Sequence, residues 1–301
     1  MTREKFLENF YKIYEKNNEN IFISSVPYPL IMAKNKNIAV GMGITPDTLM
    51  GIRFCEEKKV FIRQTGDELM YECEAEKLAS YDGEDWSREI FLLLARFIKK
   101  TDMCGMQILF HCDCNDEFKN YFLAAAVGFC KCFLPKKNIA EILEYIMPKK
   151  MDFADKITLL CPKNTCFFET GEELSGYSFE DEYKIIIAKT KKHMKKDSRA
   201  EEDKNFEKPS GFKGLSEFIK KGAEESLKSC KNSEYTAMLY NEAKKYAEFV
   251  GIYKDCGVYA FIRDAEVDEF VRKTGEEYEK KAGSKPEFYI CNSSQASFEK
   301  M

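Results

Sequence analysis

Two hydrophobic periods alternate along this chain, and that alternation limits the folds open to it more than any other feature. Residues Lys5 to Lys16 place Phe6, Leu7, Phe10, Tyr11, Ile13 and Tyr14 at the three- and four-residue spacing of an amphipathic helix. Asn17 to Asn20 ends it. Ile21-Phe22-Ile23 and the glycine-bearing run from Ile38 to Ile44 then read as short extended segments. Thr48 to Phe54 and Lys59 to Arg63 read as paired strands around the polar turn Cys55-Glu56-Glu57-Lys58.

Helical spacing returns between Trp86 and Lys100, where Ile90, Leu93, Leu94, Phe97 and Ile98 share a face. A short strand, Met106 to Phe110, leads to a helix over Phe118 to Phe133, whose Ala124, Ala125, Ala126 and Gly128 permit close packing. A further helix, Asn138 to Ile146, stops before Pro148. Strands are expected at Ile157 to Leu160, Thr165 to Phe168 and Tyr183 to Ala188. The segment Lys189 to Lys208, with charges of both signs, reads as a solvated helix or connector. Beyond it the spacing predicts helices over Ser216 to Lys231 and Glu234 to Phe249, a strand over Val258 to Arg263, a helix over Val267 to Lys281 and a strand over Glu287 to Cys291. Hairpins mixed with helices argue for an α+β sandwich over a doubly wound parallel sheet.

Composition narrows the function. The 301 residues suffice for two domains with real cores. A net charge of −4, with lysines and glutamates interspersed, offers no basic field for a phosphate backbone, so nucleic acid is not an expected partner. Arg3, Lys5, Glu8, Lys12, Glu15 and Lys16 interrupt any apolar run at the start; neither a secretory signal nor a membrane span is expected, and the cytosol is the expected location. The 12 cysteines are scattered and read mostly as reduced core thiols. Cys112 with Cys114 and Cys130 with Cys132 form Cys-x-Cys pairs that offer thiolates to zinc. Zinc fingers space their pairs more widely, and the second pair sits in an apolar, helix-like run, so buried thiols and no metal are expected.

Three stretches carry a resemblance. The run from Val267 to Cys291, reading VDEFVRKTGEEYEKKAGSKPEFYIC, closely resembles the end of galactokinases, members of the GHMP small-molecule kinase superfamily. Glu182 to Thr190, with Asp197-Ser198-Arg199-Ala200-Glu201, is similar to that family's DYKIVIANT and ADSKYNERRAE segments. Glu4-Lys5-Phe6 through Ile21 to Pro27 looks like the helix and strand that lead into the family's sugar-binding signature. The resemblance implies a two-domain GHMP-kinase-like α+β fold. Residues 1–180 would form a half like ribosomal protein S5 domain 2, residues 181–301 a ferredoxin-like half, and ATP and sugar would lie between them.

The same resemblance exposes four departures. Where the family reads GRVNLIGEHTDYNGG, this chain has Tyr28-Pro29-Leu30-Ile31-Met32-Ala33-Lys34-Asn35-Lys36-Asn37, with neither arginine nor acid for the sugar. Where the family has the phosphate loop PxxxGLSSSA, Asp113-Cys114-Asn115-Asp116-Glu117-Phe118-Lys119-Asn120-Tyr121 brings three carboxylates against a polyanion. Asn115 or Asp116 there reads as a helix cap. Met151-Asp152 makes Asp152 the one candidate for the family's catalytic aspartate, although Phe153 replaces glutamine and a solvated turn aspartate is the competing reading. In place of the glycine turn GGGFGG stand Ile252-Tyr253-Lys254-Asp255-Cys256-Gly257-Val258. Phe118, Tyr121 and Tyr253 bring large rings where the family has small residues, and at least one of them, or the pair Lys254 and Asp255, is expected to occupy nucleotide space.

Phosphoryl transfer needs all of these parts at once. The expectation is a galactokinase-like protein that has lost sugar kinase activity and binds a small molecule or protein partner as a regulatory module, with no cofactor and no retained catalytic residue. Two alternatives stand beside it. One is an active kinase of changed substrate, using ATP with Mg²⁺ held by Asp152 or by Asp113, Asp116 and Glu117. The other is a thiol or metal protein built on Cys112, Cys114, Cys130 and Cys132.

Overall fold

The computed structural model describes residues 1–16, 19–34, 38–98, 105–113, 117–136, 151–171, 173–180, 182–190, 195–196, 211–231, 234–254 and 257–301. The helix expected from Asn138 to Ile146 and the charged stretch 197–208 lie outside them. In chain order the elements are α1 (Arg3–Tyr14), β1 (Ile21–Lys34), β2 (Ile38–Cys55), β3 (Lys59–Gln64), β4 (Met70–Glu74), α2 (Ser87–Ile98), β5 (Gly105–His111), α3 (Glu117–Phe133) and α4 (Phe153–Leu160). Then come β6 (Thr165–Thr170), β7 (Glu173–Ser178), β8 (Tyr183–Lys189), β9 (Lys195–Lys196), α5 (Gly211–Ser229), β10 (Cys230–Lys231), α6 (Glu234–Ala243), β11 (Val250–Tyr253), β12 (Gly257–Arg263), α7 (Val267–Ala282), β13 (Glu287–Cys291) and β14 (Ser297–Lys300).

The chain divides into two compact units. The first is Met1–Tyr28, Pro46–Pro162 and Ser294–Met301; the second is Pro29–Thr45 and Lys163–Ser293. The expected boundary at 180/181 falls within the second unit, between β7 and β8.

In the first unit the strands run β14-β1-β2-β5-β3-β4. Alternate residues of a strand face opposite sides, and the sheet uses both. Ile108 and Phe110 of β5 join Met50, Ile52, Val60 and Ile62 under α2 and α3. Leu109, between them, meets Phe6, Phe10 and Tyr14 of α1 on the opposite face. Ser24 Oγ donates to the Ala124 carbonyl at 2.9 Å, so α3 lies close on the sheet through its small residues.

Arg53 is 2% exposed and closes the end of α1. Its guanidinium donates to the carbonyls of Tyr14 and Glu15, the latter at 2.7 Å, and to Gln107 Oε1 at 2.6 and 2.9 Å. Carbonyls at a helix C-terminus lack intrahelical partners, and a cation there also opposes the helix dipole.

Two expected features differ. Residues 48–54 and 59–63 are strands, but they do not pair with one another: β5 lies between them, antiparallel to β2 and parallel to β3. A four-residue polar link reads as a hairpin turn in sequence, yet it also lets the chain step over an inserted strand. Ile157 to Leu160 is helical, not extended, because Asp152 and Asp155 form a reciprocal cap that starts α4, and Phe153 and Ile157 then fall on one buried face.

In the second unit the four-stranded sheet β11-β12-β8-β13 is antiparallel throughout. Ile186, Ala188, Val258, Ala260 and Ile262 form a core with Leu239 and Tyr240 of α6 and Phe270 and Tyr278 of α7. The first residues of β2, Ile38 to Gly41, pair with the β6–β7 hairpin. α6 ends at Ala243, short of the expected Phe249, and the chain turns through Lys244 to Ala247 into the short strand β11.

Candidate functional site

Three of the four departures have described residues in one unit each; the fourth starts at the unit break. In the first unit, α3 begins at Glu117 directly after β5, and its Lys119 reaches α4. The Lys119 ammonium lies 2.8 Å from Asp155 Oδ1 and 3.0 Å from Asp152 Oδ2. Asp152 Oδ1 accepts from the Asp155 N–H at 2.9 Å, while Asp155 Oδ2 accepts from the Asp152 N–H at 3.1 Å. Burial alone would raise the pKa of Asp152, but the Asp155 N–H and the Lys119 ammonium outweigh it and hold the carboxyl below its usual range. Burial would likewise lower the lysine, and the bonds to Asp155 and Asp152 outweigh it and hold its pKa above the usual range. Asp152 is therefore a helix cap and half of an ion pair. Sequence reasoning does not single out Lys119 or Asp155 as site residues; the Asp152-x-x-Asp155 spacing of a capping box is the available signal.

Just before α3, His111 bridges two segments. Its Nδ1 lies 2.6 Å from Thr65 Oγ1 and its Nε2 lies 3.1 Å from Asp113 Oδ1. The other Asp113 oxygen accepts from the Met1 amine at 2.7 Å. Burial raises the Asp113 pKa, but these two partners outweigh it and hold the carboxyl below its ordinary value. Asn115 and Asp116, expected as caps, lie outside the described residues, as does Cys114. Tyr121 is fully buried among Trp86 and Phe110, ring centres 5.1 and 4.9 Å away, and so belongs to the core beneath α3.

In the second unit the expected sugar-binding segment is strand. Pro29 to Lys34 continues β1, with Leu30 and Met32 buried. The Met32 carbonyl accepts from the Tyr259 hydroxyl at 2.8 Å. Both prolines of β1, Pro27 and Pro29, lie beyond the stretch Phe22 to Ser25 that pairs with β14, where a missing N–H costs no bond to that neighbour.

Ile252 to Val258, expected where the family has its glycine turn, spans the end of β11 and the start of β12. Lys254 adopts φ 49°, the left-handed region that glycine enters at least cost. Tyr253 is buried, and the Lys189 and Lys254 ammonium groups lie 5.5 and 5.7 Å from its ring centre. Gly257 serves strand pairing, since a Cβ there would stand 2.2 Å from the Ala188 carbonyl oxygen.

Of the paired thiols, Cys112 is buried and accepts from Thr48 Oγ1 at 3.1 Å. Burial pushes the Cys130 and Cys132 thiols up to about 12, which disfavours the thiolate that zinc requires. Among the described residues no three His, Cys, Asp or Glu side chains converge as a metal site would need.

No family model matches the chain, and no curated protein does. Solved structures do. The chain is similar to Lactococcus lactis galactokinase complexed with galactose, with a TM-score of 0.66 and 13% identity over 98% of this chain and 99% of that one. It is also similar to the mevalonate kinase of Methanococcus jannaschii, with a TM-score of 0.62 and 8% identity over 91% and 98% of the two chains. At such identities the likeness is one of fold, and it is the α+β fold of the GHMP kinases.

Proposed function

We propose that this chain is a galactokinase-like protein of the GHMP fold that has lost sugar kinase activity and acts as a binding or regulatory module. The observation that carries the reading is the network of Lys119, Asp152 and Asp155. A general base needs a pKa near the working pH and a lone pair free for the substrate proton. Asp152, the one candidate, is held below the usual carboxylate range, and each of its oxygens, in a side chain 61% exposed, already accepts from a donor, one from a backbone N–H and one from an ammonium. Leu30 and Met32 add support: buried apolar side chains in a strand cannot recognise sugar hydroxyls.

Asp152 and Asp155 both lie within ion-pair distance of Lys119, which supports a reading without Mg²⁺ at these two carboxylates, since a hard divalent cation would have to displace that ammonium. The proposed halves are residues 1–180 and 181–301. A cytosolic location, with a small molecule or protein as partner and no nucleic acid, fits the interspersed charges and the net charge of −4. No helix among the described residues is long and apolar enough to cross a membrane.

Incubation with ATP, Mg²⁺ and galactose, with phosphorus NMR as the readout, tests the proposal. No galactose 1-phosphate is expected, and Asp152→Asn should leave any background unchanged. Product over multiple turnovers that collapses in Asp152→Asn would make Asp152 a catalytic base.

A further inference from the structure

The first unit carries an open depression of about 580 Å³ between α1 and the turn after β3, within the size range of small-molecule sites. Lys12, Ile13, Arg63, Thr65, Glu68 and His111 are among the residues that line it. Arg63 spends only Nε, donating to the Asp67 carbonyl at 2.8 Å, which fixes the guanidinium and leaves its two terminal nitrogens unspent. Lys12 and Glu68 also have no partner of opposite charge among the described residues. Long side chains of both signs thus share one depression without pairing.

We infer that this depression binds a small zwitterion of the α-amino acid type with an apolar side chain. A guanidinium held by one edge presents a fork that matches a carboxylate. Glu68 supplies the countercharge for an ammonium group, and Ile13 gives an apolar wall. A plain anion would meet Glu68 as a like charge, and a plain amine would meet Arg63 and Lys12; a ligand carrying both groups answers both. His111, joined to Thr65 and Asp113, also lines the depression. The site uses none of Lys119, Asp152 or Asp155, so it goes beyond the proposed loss of kinase activity and stands or falls separately from it.

Thermal-shift screening of the full chain against the twenty L-amino acids, with calorimetry on the best ligand, tests this. The same calorimetry is run with that ligand's amine lacking the carboxylate and its acid lacking the ammonium. The expected ligand is apolar, both truncated analogues bind at least about tenfold more weakly, and Arg63→Met and Glu68→Gln each weaken binding about tenfold. Glu68 is exposed and makes no hydrogen bond among the described residues, so Glu68→Gln tests the site even if Arg63→Met disturbs its turn. Three results would overturn the inference: no amino acid binds; the acid analogue binds as well as its parent; or Glu68→Gln binds as the unaltered chain does.

Discussion

Arg53 illustrates how much a single residue can carry in this molecule. Its guanidinium satisfies two terminal carbonyls of α1 and the Gln107 side chain in a space 98% closed to solvent, and its central carbon Cζ lies 5.5 Å from the Phe10 ring centre. Arg53→Met fills much of the volume but leaves buried acceptors without donors, and should cost about 3 kcal/mol in urea unfolding. A loss under about 1 kcal/mol would mean that water replaces the guanidinium. Lys254 is the opposite case. A residue with a Cβ sits at φ 49°, and Lys254→Gly should raise stability by a few tenths to about 1 kcal/mol, the left-handed penalty less glycine's greater chain entropy. A clear destabilisation would show that the lysine's place beside Tyr253 outweighs the strain.

Among the elements, β5 depends on how closely its first residue approaches the β2–β3 connection. A Cβ on Gly105 would stand 1.7 Å from the Glu57 carbonyl oxygen and 2.3 Å from that of Lys59, both backbone atoms that cannot swing aside. Gly105→Ala should therefore destabilise by more than about 3 kcal/mol, and a neutral result in thermal unfolding would place β5 further from that connection. The α3–α4 tie is weaker. Lys119 is half exposed, so Lys119→Met should cost only about 0.5–1 kcal/mol. Its pH dependence has a definite sign. The folded-state pKa of Asp152 is depressed, so its share is present above about 4 and lost as pH falls through the folded value. That of Lys119 is raised, so its share is present below about 10 and lost as pH rises through the folded value. Stability differences between the chain and Lys119→Met should be flat near neutrality and shrink at both extremes; a difference that grows in acid would contradict the assignment.

The elements also show what can be read from a sequence. α1, α2, α3 and α7 are legible because each keeps a 3.6-residue stripe over three turns or more, a signal tertiary contacts cannot easily mimic. The strand neighbours are not, since nothing in Thr48 to Arg63 says that a strand forty residues later will insert between them. Ile157 to Leu160 reads as a strand because it opens on the β-branched Ile157 and Thr158, while the cap that decides the matter lies just upstream. At the candidate site Asp152 is visible by type and position, but Lys119 and Asp155 become part of it only when α3 and α4 meet.

At the scale of the whole molecule, fold and chemistry have separable causes. The GHMP-kinase-like fold at 13% identity rests on where apolar residues fall along strands and helices, a pattern many sequences satisfy. Phosphoryl transfer rests on a few polar groups placed together, and its proposed loss is supported by the buried Leu30 and Met32, the cap of α4 and the ion pairs of Lys119. Calorimetric titration of the full chain with ATP, with and without Mg²⁺, tests this most directly, since a nucleotide site is needed by every version of the kinase reading and by none of the present account. The account predicts no binding heat under either condition, and Mg²⁺-dependent binding of about one ATP per chain would contradict it.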